Sequence, residues 1–205
     1  VSLFISDDLG DPVDVIASGP TVADSSTPQQ AIEVLHRFDA QNAGISPTVF
    51  QYLERRAEQR LAEPVIATCH ASNLIIGNNA TAVDAAGLEA ERLGYSHAMI
   101  SAEKSEGQAE PVGRHLAEMA IKMRRDRGPD CLISGGEPVV TLVDSASRGR
   151  GGRNQQLILA ALMHLLDDGA DGLAILSGGT DGEDGPTDAA GAFLTAGILS
   201  RAKNL

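Results

Sequence analysis

C-L-I-S-G-G-E-P from Cys131 to Pro138, R-G-R-G-G-R-N-Q from Arg148 to Gln155, and L-A-I-L-S-G-G-T-D-G from Leu173 to Gly182 decide the fold. The first and last are short apolar runs ending on paired glycines, as a strand does when it runs into a tight turn. Between them, Asn154 to Asp168 repeats apolar residues at helical spacing, with Leu157, Ala161 and Leu165 beside Ile158, Leu162 and Leu166, and Gly169 closes the pattern. Strand, glycine turn, helix and strand in succession is the unit of an α/β protein.

The same rhythm extends outward. Strands are expected at Val65 to Thr68, Leu74 to Ile76, His97 to Ser101, Cys131 to Ser134, Val139 to Val143 and Leu173 to Leu176. Helices are expected at Thr81 to Leu93, closed by Gly94, at Pro111 to about Arg125, and again from Ala189 to Ile198. These alternations predict a Rossmann-like three-layer α/β fold, a sheet covered by helices, over residues 65–205. Lys104 to Glu110 is a polar loop expected to be mobile. Upstream, Val13 to Ala17 reads as a strand entering a turn at Ser18-Gly19-Pro20-Thr21. Ser26 or Thr27 can cap a helix that starts at Pro28 and carries Ile32, Leu35 and Phe38; Ser46-Pro47 starts another, running to about Arg60. Leu61 to Pro64 is the expected domain boundary. The opening at Val1, already inside a strand pattern to Ser6, and the helical pattern broken off after Thr195 to Asn204 imply a piece of a longer chain.

The 205 residues, 42% of them apolar, suffice for a proper core. No run approaches the ~20 apolar residues of a membrane span, and no signal peptide opens the chain. The two cysteines, Cys69 and Cys131, stand apart in apolar runs and read as buried thiols, so the expected compartment is cytoplasmic. A net charge of −12 opposes nucleic-acid binding, and it obliges any anionic ligand to find a local positive pocket or a metal ion.

Three expected strands end in glycine-rich polar loops: Gly77-Asn78-Asn79, Gly135-Gly136-Glu137, and Gly178 to Gly182. Ligands of open α/β sheets bind at the carboxyl ends of strands, so these loops are expected to share one site, although ordinary turn chemistry explains any one of them equally well. Arg148, Arg150 and Arg153 form the concentrated positive patch, directly before a helix whose amino end offers unpaired N–H donors to an anion; a solvated basic loop is the less favoured alternative. Asp181, Glu183, Asp184 and Asp188 crowd the last loop, with Glu137 expected on a neighbouring strand end, and together they could hold a hard cation. For Asp184 and Asp188 a turn or a cap on the helix from Ala189 is preferred; Asp181 is the preferred functional carboxylate. The acidic turn Asp7 to Asp11 lacks the calcium-loop pattern, and the five histidines have no ligand spacing. Neither G-x-x-x-x-G-K-[ST] nor G-x-G-x-x-G occurs, so the residues alone lead to an anion-binding α/β enzyme.

The runs Ile133 to Pro138, Arg148 to Gln155 and L-S-G-G-T-D-G-E-D-G-P-T-D-A-A from Leu176 to Ala190 resemble the MOFRL domain of class II glycerate kinases. Ser6 to Thr21 and I-I-G-N-N at Ile75 to Asn79 resemble the end of that family's N-terminal domain and its junction. The resemblance implies that residues 1–64 are the end of a second α/β domain and that the MOFRL region occupies about 130–205 of the C-terminal one. It implies transfer of the ATP γ-phosphoryl group to D-glycerate, giving 2-phosphoglycerate, with Mg²⁺ in a cleft between two domains. The family's glycine-rich loop and lysine from the first domain do not occur here, so the chain alone is expected to bind weakly. By resemblance Arg153 stabilises the transferring phosphoryl charge, Asn154 orients substrate, and Asp181 and Glu137 serve the metal or the glycerate hydroxyl. Substrate- or nucleotide-binding positions follow at Gly19, Thr21, Asn79, Gly135, Gly136, Asn154, Gly179 and Thr180. The expected partners are D-glycerate and ATP, with a homodimer admitted and neither nucleic acid nor membrane. Two rival readings are a hydroxypyruvate reductase using NAD(P)H, against which the missing dinucleotide fingerprint counts, and a non-catalytic ligand-binding module.

Overall fold

The computed structural model describes residues 1–58 and 71–204. The chain divides into two compact units, one of residues 1–5 and 11–76, the other of residues 6–10 and 77–205. The expected strand at Val65 to Thr68, the boundary at Leu61 to Pro64 and Cys69 lie outside the described residues.

In the first unit β1 (Ser2–Ile5) pairs with β2 (Asn73–Gly77). Helix α1 (Pro28–Arg37) starts where the sequence signals it: Thr27 accepts from the Gln30 N–H at 3.2 Å, and the Gln30 side chain accepts from the Thr27 N–H at 2.8 Å. It packs on α2 (Pro47–Glu58) through Ile32 and Phe50, with the His36 and Phe50 rings 5.7 Å apart. The strand expected at Val13 to Ala17 is absent. Val15 and Ile16 donate back to the Pro12 carbonyl, and Ala17, Ser18 and Gly19 all take left-handed backbone angles, so the run curls into a single 3-10 turn at Ile16–Ser18. Its apolar alternation marks one buried residue, Ile16, and not a pleat.

The second unit alternates α3 (Asn79–Arg92), β3 (His97–Ser101), α4 (Ala109–Arg125), β4 (Cys131–Gly135), α5 (Arg153–His164), β5 (Ala174–Gly178), β6 (Gly191–Thr195) and α6 (Ala196–Ala202), an α/β order. Asn78 caps α3 by accepting from the Thr81 N–H at 2.9 Å. Parallel β3 and β4 run in register from His97 opposite Cys131 to Ser101 opposite Gly135. Among the described residues the strands pair as three two-stranded ladders, not as one continuous sheet. The core lies between α4 and α5, where Ala109, Ala117, Ile121, Leu157, Ile158, Ala161 and Leu165 are buried together with Ile175, Leu194 and Leu199. The two helices approach closely because position 113 carries no side chain: a Cβ on Gly113 would overlap the Leu157 carbonyl.

Two more expectations are corrected. From Val139 to Val143 only Val139 forms a bridge to a strand partner, Gln108; Leu142 and Val143 are exposed and join no ladder. The same bridge, with Val139 N–H on the Gly107 carbonyl at 2.8 Å, ties down the loop expected to be mobile. The helix expected from Ala189 begins only at Ala196, because Gly191 to Thr195 forms the strand antiparallel to β5, Gly191 fitting against the Ser177 carbonyl where a Cβ could not. Cys131 is a free thiol, half-buried rather than buried. Among the described residues no helix is long and apolar enough to cross a membrane.

Candidate active site

The carboxyl ends of β3 and β4 in the second unit are fastened side by side. The Ala102 N–H donates to the Gly135 carbonyl at 2.7 Å, and Asn79, at the start of α3, donates from Nδ2 to Ser101 Oγ at 3.0 Å. Gly135 faces Asn79 Oδ1 and Val83 so closely that a Cβ there would overlap both. Gly136 is covered by the carboxylate of Glu106, which a Cβ would likewise overlap. Glu106 has no hydrogen-bond partner among the described residues, and partial desolvation holds its carboxyl above the usual range, although most of its side chain is exposed.

One residue further on, Glu137 reaches the head of α5. Its Oε1 accepts from Arg153 Nη1 at 2.6 Å, with side chains 41% and 45% exposed. This contact joins the turn after β4 to the arginine patch. The other two arginines of the patch are spent on main chain: Arg148 donates to the Val143 carbonyl at 2.9 and 3.2 Å, and Arg150 to the Pro186 carbonyl at 2.9 Å. Arg153 alone of the three meets a carboxylate.

The amino end of α5 is not open to an anion in the way the sequence suggests. Asp184, 3% exposed, accepts from the Asn154 N–H at 3.0 Å and the Gln155 N–H at 2.8 Å, so two of the expected free donors are taken. Asp184 is a helix cap as expected, but for α5 and not for a helix at Ala189. Asn154 is held on both sides of its amide: Nδ2 donates to Asp184 Oδ1 at 3.1 Å, and Oδ1 accepts from Ser177 Oγ at 2.7 Å at the end of β5.

The structure thus brings Asn79 to Gly135, Glu137 to Arg153, and Asn154 to the end of β5. Gly179 and Gly182 close a turn, N–H to carbonyl at 3.1 Å, in which Asp181 Oδ1 accepts from the Glu183 N–H at 3.0 Å, and Thr180 is exposed on it. Gly19 and Thr21 belong to the first unit, where Thr21 Oγ1 donates to Asn73 Oδ1 at 2.8 Å and a Cβ on Gly19 would crowd the Asp14 carbonyl. Sequence reasoning did not single out Ser177 or Glu106. A serine before two glycines is an ordinary turn residue, and Glu106 sits in a charged loop that spacing cannot direct toward Gly136.

Among the described residues no three His, Cys, Asp or Glu side chains gather as a metal cluster. A shallow depression of roughly 290 Å³ lies elsewhere, along the start of α4, lined by Gln108, Glu110, Arg114, Thr141 and Gln156 among others. It includes none of the expected site residues, and its Glu110 is already engaged by Gln156 Nε2 at 2.8 Å.

Known proteins are similar to this chain in sequence and fold. The MOFRL family model fits residues 130–205, and a domain of unknown function, DUF4147, fits residues 1–54. A glycerate kinase of Macaca fascicularis is 38% identical, over 98% of this chain and 60% of that protein. A D-glycerate 2-kinase of Thermotoga maritima is 37% identical, over 95% of this chain and 44% of that one. The crystal structure of glycerate kinase from Thermotoga maritima superposes with a TM-score of 0.71 at 33% identity, covering 98% of this chain and 46% of that one. The chain therefore spans about half the length of the relatives it matches. With MOFRL residues at its end and a DUF4147 segment at its start, the chain is similar to glycerate kinases along nearly its whole length.

Proposed function

We propose that this chain is part of a kinase that transfers the γ-phosphoryl group of ATP to D-glycerate, giving 2-phosphoglycerate. The observation that carries the reading is the 2.6 Å pair between Arg153 and Glu137, beside the Gly135-Gly136 turn, in a protein of net charge −12. A guanidinium held at the carboxyl ends of strands is the positive group an anionic substrate requires here. Phosphoryl transfer asks for positioning and charge neutralisation more than covalent chemistry. In this reading Arg153 stabilises charge on the transferring group, and Glu137 keeps its side chain aimed. Asn154, fixed between Ser177 and Asp184, orients substrate. Gly135, Gly136 and Thr180 would offer main-chain donors; Gly179, whose own N–H is taken by the Ala190 carbonyl at 2.7 Å, would let a substrate approach the main chain, and Asn79 holds two strand ends in place. Gly19 and Thr21 remain proposed contacts from the first unit.

Mg²⁺ prefers one or two carboxylates with substrate phosphates and water, so two carboxylates would suffice for it. Asp181 and Glu137 are the proposed carboxylates; Asp181 Oδ2 accepts no hydrogen bond among the described residues, while Glu137 already holds Arg153. When bound, the ion supplies neutralising charge to the phosphates. The acidic charge and the two separated cysteines favour a cytoplasmic enzyme.

The test is a pair of assays on the full-length enzyme: ADP release from ATP with D-glycerate, with the product's phosphorylated carbon fixed by ³¹P NMR, and NADH oxidation with hydroxypyruvate. Turnover in the first and none in the second is expected. NADH oxidation without ATP-dependent turnover overturns the reading in favour of a reductase.

A further inference from the structure

We propose that Asp184 is a positioning residue for Arg153, acting through the first turn of α5. The inference rests on the kinase reading and goes beyond it by assigning a residue that touches no reacting atom.

Helix α5 has no cap of its own: Gly152 stands at the N-cap position and offers no side chain. Its place is taken by a carboxylate from 30 residues further along. Both oxygens are used, Oδ1 by the Asn154 N–H and Nδ2, and Oδ2 by the Gln155 N–H. The main chain of the same residue is clamped as well, its carbonyl accepting from Gln155 Nε2 at 3.2 Å and Thr187 Oγ1 at 2.9 Å. Contact is so close that a Cβ on Gly152 would overlap the Asp184 side chain. Burial of the carboxylate is compensated by these donors and by the positive end of the helix.

Such a clamp fixes the rotation of the first turn about its axis, and Arg153 opens that turn. The direction in which its side chain leaves the helix, and hence the pairing with Glu137, follows from where Asp184 holds Asn154 and Gln155.

A double-mutant cycle in the full-length enzyme tests the idea. Asp184→Asn and Asp184→Ala are each made with Arg153 present and in an Arg153→Ala background, with kcat read by radiolabelled ATP and folding by thermal melting. Asparagine keeps one acceptor for Asn154 but turns an NH₂ toward the Gln155 N–H, so it carries the test where alanine does not fold. With Arg153 present, kcat is expected to fall on the order of 10- to 100-fold, as for a misplacement of about 1 Å, more for alanine than for asparagine. In the Arg153→Ala background the same changes should lower kcat clearly less, leaving only the share due to Asn154, whose amide Asp184 also holds, while the melting temperature drops equally in both backgrounds. Parental kcat in folded Asp184→Asn, or an equal loss in both backgrounds, overturns the positioning role. A parent enzyme with no ATP-dependent turnover overturns the kinase reading itself, a different result.

Discussion

Replacing Arg153 by alanine separates catalysis from stability, because the structure sets the two costs far apart. The Arg153 and Glu137 side chains are 45% and 41% exposed, and a pair so open to solvent contributes about 0–1 kcal/mol to folding. Alanine is at least as good a helix former as arginine, and the first turn of α5 is held by Asp184 through main-chain bonds the substitution leaves intact. For a chain of this size, 1 kcal/mol corresponds to roughly 2–4 °C in Tm, so the melt should move by no more than that. Catalysis has much more at stake. An arginine on a transferring phosphoryl group accounts for about 10³–10⁵ in rate, some 4–7 kcal/mol at about 1.4 kcal/mol per tenfold. The assay follows ADP release at saturating ATP and D-glycerate, with a melt of the same preparation. A variant that keeps kcat within about threefold of the parent has no arginine of this kind, and Arg153 then leaves the mechanism. A Tm lower by more than about 10 °C would also refute the reasoning, since it would make the residue structural.

Leu165, fully buried in the core against α4, should cost about 2–5 kcal/mol when cut to alanine, read as a lower midpoint of chemical denaturation at unchanged slope. Glu106 titrates in the opposite sense to an ordinary paired acid. Its folded-state pKa is raised by burial over Gly136, so the native state binds its proton more tightly than the unfolded chain, and stability is lost as pH rises from the unfolded value through the folded one. Glu106→Gln should therefore raise Tm at pH 7 and leave it unchanged at pH 3; a variant less stable than the parent at pH 7 would show the carboxylate to be paired instead.

Residues that speak for themselves locally were legible in the sequence. Ser26 or Thr27 before Pro28 announced α1, Asn154 to Leu165 carried its own buried face, and the apolar runs at His97 and Cys131 became the parallel pair β3 and β4. What failed was decided at a distance. Val139 to Val143 has strand composition, but only Val139 finds a partner; Gly191 to Thr195 reads as helical until β5 lies alongside it. The candidate site follows the same division. Arg153 and Glu137 could be singled out from their motifs, and 16 residues of separation close to a 2.6 Å contact. Asp184 could be read as a cap, but no spacing rule names a helix that begins at Arg153, far upstream of it. Asp181, chosen for its setting between Thr180 and Gly182, turns one oxygen back on its own loop, which composition could not reveal.

The bonds from Asn154 and Gln155 to a carboxylate 30 and 29 residues away tie the start of α5 to a segment the ribosome makes later. Helix α5 can form its middle turns as soon as α4 is there to pack on, yet its first turn must wait for the acidic loop. In native-state hydrogen exchange the amides of Asn154 and Gln155 should open with that loop, and not with Leu157 and Ile158 one turn away, so two adjacent protons in a helix would report on the closing of a loop elsewhere in the chain.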